Sequence, residues 1–141
     1  YATGNNLGIK YSRNTVYTIN IPDGITIGKV AFGGYSNVDN ETAYLGELNG
    51  QNFGATEYVF PSRTDNKEAT HTVTLTTPAT KKITFTPKGQ QVVWRISLYT
   101  ISTSGIKQVT TIDIDGEPVT AAPKVRIIDE RYGFCCIDIF T

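Results

Sequence analysis

The most reactive side chains in this sequence are one histidine and two adjacent cysteines, and their spacing assembles no catalytic pair. His71 precedes the alternating run Thr72–Thr76 with no Glu-x-x-His or His-x-x-x-His neighbour, the spacings that set two metal ligands on one face. It reads as a histidine at the surface or at a strand end. A Ser-His-Asp triad has no nucleophile-elbow pattern to support it. A Cys-His pair would require Cys135 or Cys136 to find His71 across the fold. Neighbours on a strand point to opposite faces, so Cys135 and Cys136 read as one buried and one edge thiol. Joining them would need a strained ring, and no zinc site or disulfide framework is visible. Gly33-Gly34 lacks the following Gly and Lys of a phosphate cradle.

Glycosidases need only two carboxylates, and Asp39, Glu41, Glu47, Glu57, Asp65, Glu68, Asp113, Asp115 and Glu117 are available. Almost all fall in loops or turns, where solvated acids are ordinary. A chain of 141 residues leaves little wall for a deep, water-excluding cleft. No catalytic residue is therefore expected. Asn37, Asp39 and Glu41 alternate oxygen ligands as calcium loops do, but the twelve-residue hand with its central glycine is missing. A calcium ion there would be structural, and no cofactor or catalytic metal is expected.

What remains is binding chemistry. Eight Tyr, six Phe and one Trp make up 11% of the chain. A ring offers a flat apolar face, and tyrosine adds a hydroxyl; sugars present C–H faces and hydroxyls that match both, together with Asn, Gln, Asp, Glu and Arg. The stretch from Gly34 to Tyr44 gathers Tyr35, Asn37, Asp39, Asn40, Glu41 and Tyr44, and Glu47, Asn49, Gln51, Asn52 and Tyr58 follow. Tyr44 is also in phase with Leu48 and could plug a core, and Tyr58 shares a face, the inner one, with Phe60. Trp94 lies in phase with Val92, Ile96 and Leu98 and reads as core, whereas Arg95 and Tyr99 share the opposite face and would line a shallow groove if that face is concave. The candidate carbohydrate-binding residues are Tyr35, Asn37, Asp39, Tyr44, Glu47, Tyr58, Arg95 and Tyr99.

The elements that must hold these residues are strands. Val16–Ile21 alternates and stops at Pro22-Asp23-Gly24; Ile25–Phe32 follows with a bulge, because Ile25 and Ile27 are out of phase with Val30 and Phe32. Residues 33–41 read as a loop, Thr42–Leu48 as a strand ended by the hairpin signal Asn49-Gly50, and Glu57–Phe60 as a short strand before a polar loop, 62–69. Thr72–Thr76 and Lys82–Thr86 alternate cleanly, Pro87-Lys88-Gly89 reads as a turn, and Val92–Tyr99 is a long strand. The tail offers Gln108–Ile114, a turn at Asp115-Gly116, Lys124–Ile128 and Phe134–Phe140. Short strands at this spacing, with no helical stripe, predict one all-β antiparallel β-sandwich, jelly-roll-like, over 1–141. Residues 102–141 complete it, begin a linker or belong to a neighbouring unit.

Thirteen basic and thirteen acidic residues cancel, which speaks against nucleic acid, whose phosphates need a clustered positive field, and against a polybasic membrane contact. No apolar run approaches the ~20 residues that span a bilayer. Only 18% of residues are charged while Gly, Thr, Asn and Ser abound, a profile of extracellular β-proteins. The sequence has no methionine and reads as a processed piece of something larger.

Four segments carry a likeness: Gly34-Tyr35-Ser36-Asn37, Ala43–Gly50, Tyr58-Val59-Phe60-Pro61 and Ile83–Trp94. Over roughly residues 11–101 the chain resembles the carbohydrate-binding-module-like β-sandwich domains appended to secreted polysaccharide-degrading enzymes of gut and rumen Bacteroidetes-type bacteria, such as pectate lyases and glycoside hydrolases. The resemblance implies a secreted, non-catalytic module that holds an appended catalytic domain on plant cell-wall polysaccharide (xylan, β-glucan or pectin). It supplies no binding-residue motif. The alternative is a structural or adhesive spacer, supported by the apolar tail 132–140, which could add to a sheet edge.

Overall fold

The computed structural model describes residues 2–3, 6–101, 113–115, 124–131 and 134–140, with side chains within 8–101 and at 114, 115, 137 and 139. Outside the described residues lie Glu117, the Gly116 half of the expected turn, most of the 108–114 strand, Tyr132, and the side chains of Asp113, Cys135 and Cys136. In chain order the strands are β1 (Ala2–Thr3), β2 (Asn6–Leu7), β3 (Ile9–Tyr11), β4 (Tyr17–Asn20), β5 (Ile27–Ser36), β6 (Ala43–Leu48) and β7 (Gln51–Asn52). They continue as β8 (Val59–Phe60), β9 (Ala69–Ala79), β10 (Lys82–Lys88), β11 (Val92–Ile101), β12 (Asp113–Asp115), β13 (Lys124–Arg131) and β14 (Phe134–Phe140).

Alternation of apolar and polar residues obliges each strand to bury one face, and two six-stranded sheets do so against each other. Sheet I runs β12-β4-β10-β6-β7 with β8 added to β6; sheet II runs β13-β14-β11-β5-β9 with β3 added to β11. Strand β11 is long enough to take two partners end to end on one side: Val92–Trp94 pairs with β3, and Ile96–Ile101 pairs with β14. Every pairing between the described strands is antiparallel. The pairs β4·β12, β5·β11 and β6·β10 nest inside one another and alternate between the sheets around β9. That winding is jelly-roll-like and makes the all-β sandwich expected from the sequence. The described tail strands lie in these sheets: β12 beside β4, and β14 between β11 and β13.

The core is aromatic at its centre. Trp94, Tyr11, Tyr17, Phe32, Phe60 and Phe85 are fully buried, each contributing on the order of 1.5–3 kcal/mol of apolar burial. Contacts cross between the layers: Phe32 of sheet II lies 5.7 Å from Phe85 of sheet I, and Trp94 lies 4.7 Å from Phe60. The Tyr11 phenol is buried here, and burial pushes its pKa far above the ordinary tyrosine value, so it stays neutral.

Local grammar explains most boundaries. Asn49 and Gly50 both take positive φ, 50° and 86°, as a two-residue type I′ hairpin between β6 and β7 requires. The bulge expected early in β5 is present: Lys29 pairs with Tyr99 and Ile27 with Thr100, so Gly28 is an extra residue against β11, and this lets Ile25, Ile27, Val30 and Phe32 all reach the core. Two expectations are corrected. Gly33–Ser36 is no loop; β5 runs through it, with Gly34 opposite Trp94 and Ser36 opposite Val92. Pro87-Lys88 is no turn; both belong to β10 beyond a register shift at Thr86/Pro87, a place where a strand tolerates proline. Strand β9 is also longer than its alternating centre, so His71 lies inside it.

Candidate functional site

The strand directions bring four connections to one end of the sandwich: 12–16 between β3 and β4, 37–42 between β5 and β6, 61–68 between β8 and β9, and 89–91 between β10 and β11. Each contains one residue in the left-handed region: Asn14 at φ 60°, Asn40 at 60°, Asn66 at 53° and Gly89 at 87°. Asparagine and glycine are the residues that adopt this conformation at least cost. The loops are then joined through their backbones. Asn14 N–H donates to Pro87 O at 2.7 Å, Asn37 N–H to Gln91 O at 2.7 Å, and Ser36 N–H to Pro61 O at 2.8 Å.

Side chains complete the bracing. Buried Ser62 donates from Oγ to Val38 O at 2.7 Å and accepts from Thr64 N–H, capping the 3-10 turn Arg63–Asp65. Asn40 N–H donates to Thr64 Oγ1 at 3.0 Å. Arg63 Nε donates to Asp39 Oδ1 at 2.5 Å, and this hydrogen bond with its guanidinium charge holds the Asp39 carboxyl below the ordinary 3.8. The Arg63 guanidinium thus supplies positive charge at Asp39. Arg13 donates through Nη1 to Gln90 Oε1 at 2.9 Å and Gly89 O at 3.4 Å. The half-exposed Tyr44 meets the same turn: a Cβ at Gly89 would touch its Cδ1 at 3.6 Å. Tyr44, Arg13 and Gln90 therefore converge on one rim, with Asn37, Asp39 and Arg63 in the adjoining loops.

The eight candidate residues do not form one site. Asn37, Asp39 and Tyr44 belong to this end. Tyr35 is corrected: it lies in β5, not in a loop, and is 4% exposed, so its ring offers no face for stacking. Glu47 shares the outer face of sheet I with Tyr44, because Gly46 is the extra residue of a bulge opposite Thr86 and Pro87 and resets the alternation. A side chain at Gly46 would run into the stem of Lys88. The same shift turns Leu45 and Leu48 inward together, so Tyr44 is not the core plug its phase with Leu48 suggests. The Glu47 carboxylate is occupied by its own hairpin and by β10, accepting from Gly50 N–H at 2.6 Å, Thr84 Oγ1 at 3.0 Å and Thr86 Oγ1 at 3.2 Å. Glu47→Ala is expected to lower stability by about 1–2 kcal/mol through the lost charge-assisted bonds, read as a shift in the urea midpoint.

Tyr58 stands at the side of the sandwich. Its φ of 50° is unusual for a bulky residue. Its carbonyl accepts from Leu45 N–H, and its ring packs edge-on against Phe53 at 4.9 Å and His71 at 5.6 Å. His71 is half-buried; since a carbonyl can only accept, its Nε2 donates to Val59 O at 2.7 Å. Arg95 and Tyr99 lie half-exposed on the outer face of sheet II, opposite Gly33 and Lys29 of β5. Trp94 is core, as its phase requires. The sequence reading missed Arg13, Ser62, Arg63 and Gln90. Their local signals were the turn-forming Asn14, Asn66 and Gly89 near them and the Ser62-x-Thr64 cap.

Among the described residues no group of three or more His, Cys, Asp or Glu side chains is placed to hold a metal ion. No protein-family model, curated protein or solved structure matches this chain.

Proposed function

We propose that this chain is a non-catalytic carbohydrate-binding module whose ligand surface is the four-loop end, with Tyr44 as the aromatic contact. One observation carries the reading: four loops, each turned by a left-handed residue and cross-linked by backbone hydrogen bonds, present a half-exposed ring beside Arg13 and Gln90. A polyhydroxylated ligand wants a ring face and planar polar groups fixed in advance, because an ordered surface loses little entropy on binding. In the same proposal the ligand is plant cell-wall polysaccharide such as xylan, β-glucan or pectin. The module acts outside the cell and tethers an appended catalytic domain, raising its effective concentration on an insoluble substrate. Affinity is expected on the order of micromolar to millimolar, because a shallow surface leaves most sugar hydroxyls wet.

The second reading, a structural spacer, draws on a different observation. Much of the loop polarity is consumed internally, in the Asp39–Arg63, Ser62–Val38 and Asn40–Thr64 contacts. Affinity electrophoresis in gels containing xylan, β-glucan or pectin separates the two. A binding module is retarded on at least one glycan, independently of salt, and Tyr44→Ala weakens the retardation about tenfold with the thermal midpoint unchanged. Mobility unaltered across the panel would leave the spacer.

A further inference from the structure

We propose that the edge of sheet II at β9 is a self-association surface that pairs antiparallel with the β9 edge of a second copy of this chain. Sheet II ends on two very different strands. The β13 edge reads Lys-Val-Arg-Ile-Ile-Asp-Glu-Arg, five charged residues in eight, the pattern that natural sheets use to keep an edge from pairing. The β9 edge reads Ala-Thr-His-Thr-Val-Thr-Leu-Thr-Thr-Pro-Ala and contains no Lys, Arg, Asp or Glu; its Pro78 lies in the bulge 75–78, outside the segment Ala69–Thr74 that pairs regularly with β5. Among the described residues no backbone hydrogen bond joins β9 to anything except β5, which leaves the peptide groups on its other side unpaired among them. The sheet I edge strands do not match it, since β7 has two residues and β12 has three.

The occupant is a second copy because the strand is complementary to itself. Thr70, Thr72, Thr74 and Thr76 are exposed, while Val73 and Leu75 are buried. In an antiparallel pair about a two-fold axis through Val73, Thr72 faces Thr74 and Thr70 faces Thr76 outside, while Val73 meets its own mate inside and His71 faces Leu75. Threonine pairs directly across strands are favourable, and a two-fold axis superposes like charges only where charges exist. This edge has none. The contacts that β9 makes to sheet I run through side chains, His71 to Val59 O and Thr76 to Gln51, and leave the backbone edge open. The product is one sheet continuous through β5, β9 and their two-fold mates.

Sedimentation equilibrium tests this. The weight-average mass of the chain is expected to climb with concentration from 15.5 kDa toward twice that value. Thr72→Lys with Thr74→Lys sets like charges opposite one another and is expected to weaken the dimer at least about tenfold. Both positions are exposed, and an unchanged circular dichroism spectrum checks the fold. Mixing that variant with one carrying Thr72→Glu and Thr74→Glu is expected to restore association as a heterodimer, which no general loss of stability can do. A monomer at every concentration overturns the proposal, and so does a dimer indifferent to all four substitutions, which would place association elsewhere.

Discussion

Trp94→Ala is expected to remove about 3–5 kcal/mol of folding stability. The indole is 0% exposed and touches both layers: Phe60 at 4.7 Å and Phe85 at 6.4 Å from sheet I, Phe32 at 5.2 Å and Tyr11 at 6.4 Å from sheet II. Those four rings are anchored on four different strands, so the void left by truncation cannot be closed by one element moving in. The loss sits near the top of the range for aromatic truncation, against a total that for ordinary domains is only about 5–15 kcal/mol. Trp94→Phe is expected to cost much less, about 1–2 kcal/mol. It keeps a ring in place, and it deletes an indole Nε1 that is buried with no acceptor among the described residues. Since this is the only tryptophan, urea unfolding must be followed by circular dichroism rather than indole fluorescence. A Trp94→Ala midpoint within 1 kcal/mol of the parent, converted through the m-value, would show that the aromatic centre does not join the sheets.

Strong alternation made much of the architecture legible in the sequence. Val92, Trp94, Ile96 and Leu98 face inward as their period requires, and Asn49-Gly50 forms the hairpin its φ preferences demand. The illegible parts depend on what lies opposite. Tyr44 and Glu47 are three apart and should face opposite ways, but Gly46 adds a residue to its strand and puts them on one side. Nothing local to β6 announces that, because the bulge is defined against β10. The candidate site was half legible for the same reason. The polar run 37–41 was visible, but the partners that fix this end lie far off in sequence: Arg63 is 24 residues from Asp39, and Gln90 is 77 from Arg13. Tyr35 was misjudged because it follows two glycines, and a glycine pair has two meanings. It can turn a chain, or it can let two backbones come close.

Gly34→Ala distinguishes those meanings, and it is expected to cost about 3 kcal/mol, at the upper end of overpacking. A methyl group at this position would be driven into the Val93 carbonyl oxygen and would stand 3.0 Å from Trp94 Cα. Both obstacles are backbone, so no rotamer change relieves them; β5 and β11 must part where Gly34 faces Trp94. The disturbance falls two residues before Ser36, whose N–H joins β5 to the 61–68 loop, so the four-loop end should loosen with it. Gly33→Ala is the matched control. Its methyl would meet Thr70 Oγ1 at 3.2 Å and Arg95 Nη2 at 3.6 Å, both the ends of side chains on the outer face of sheet II that can swing aside. That substitution is expected to cost less than about 1 kcal/mol. Were 33–36 a turn instead of a strand, the two alanines would behave alike, because neither glycine would have a strand pressed against it. Thermal midpoints measured side by side read the difference directly: a large drop for Gly34→Ala with a small one for Gly33→Ala requires the close approach of β5 and β11, and equal drops exclude it.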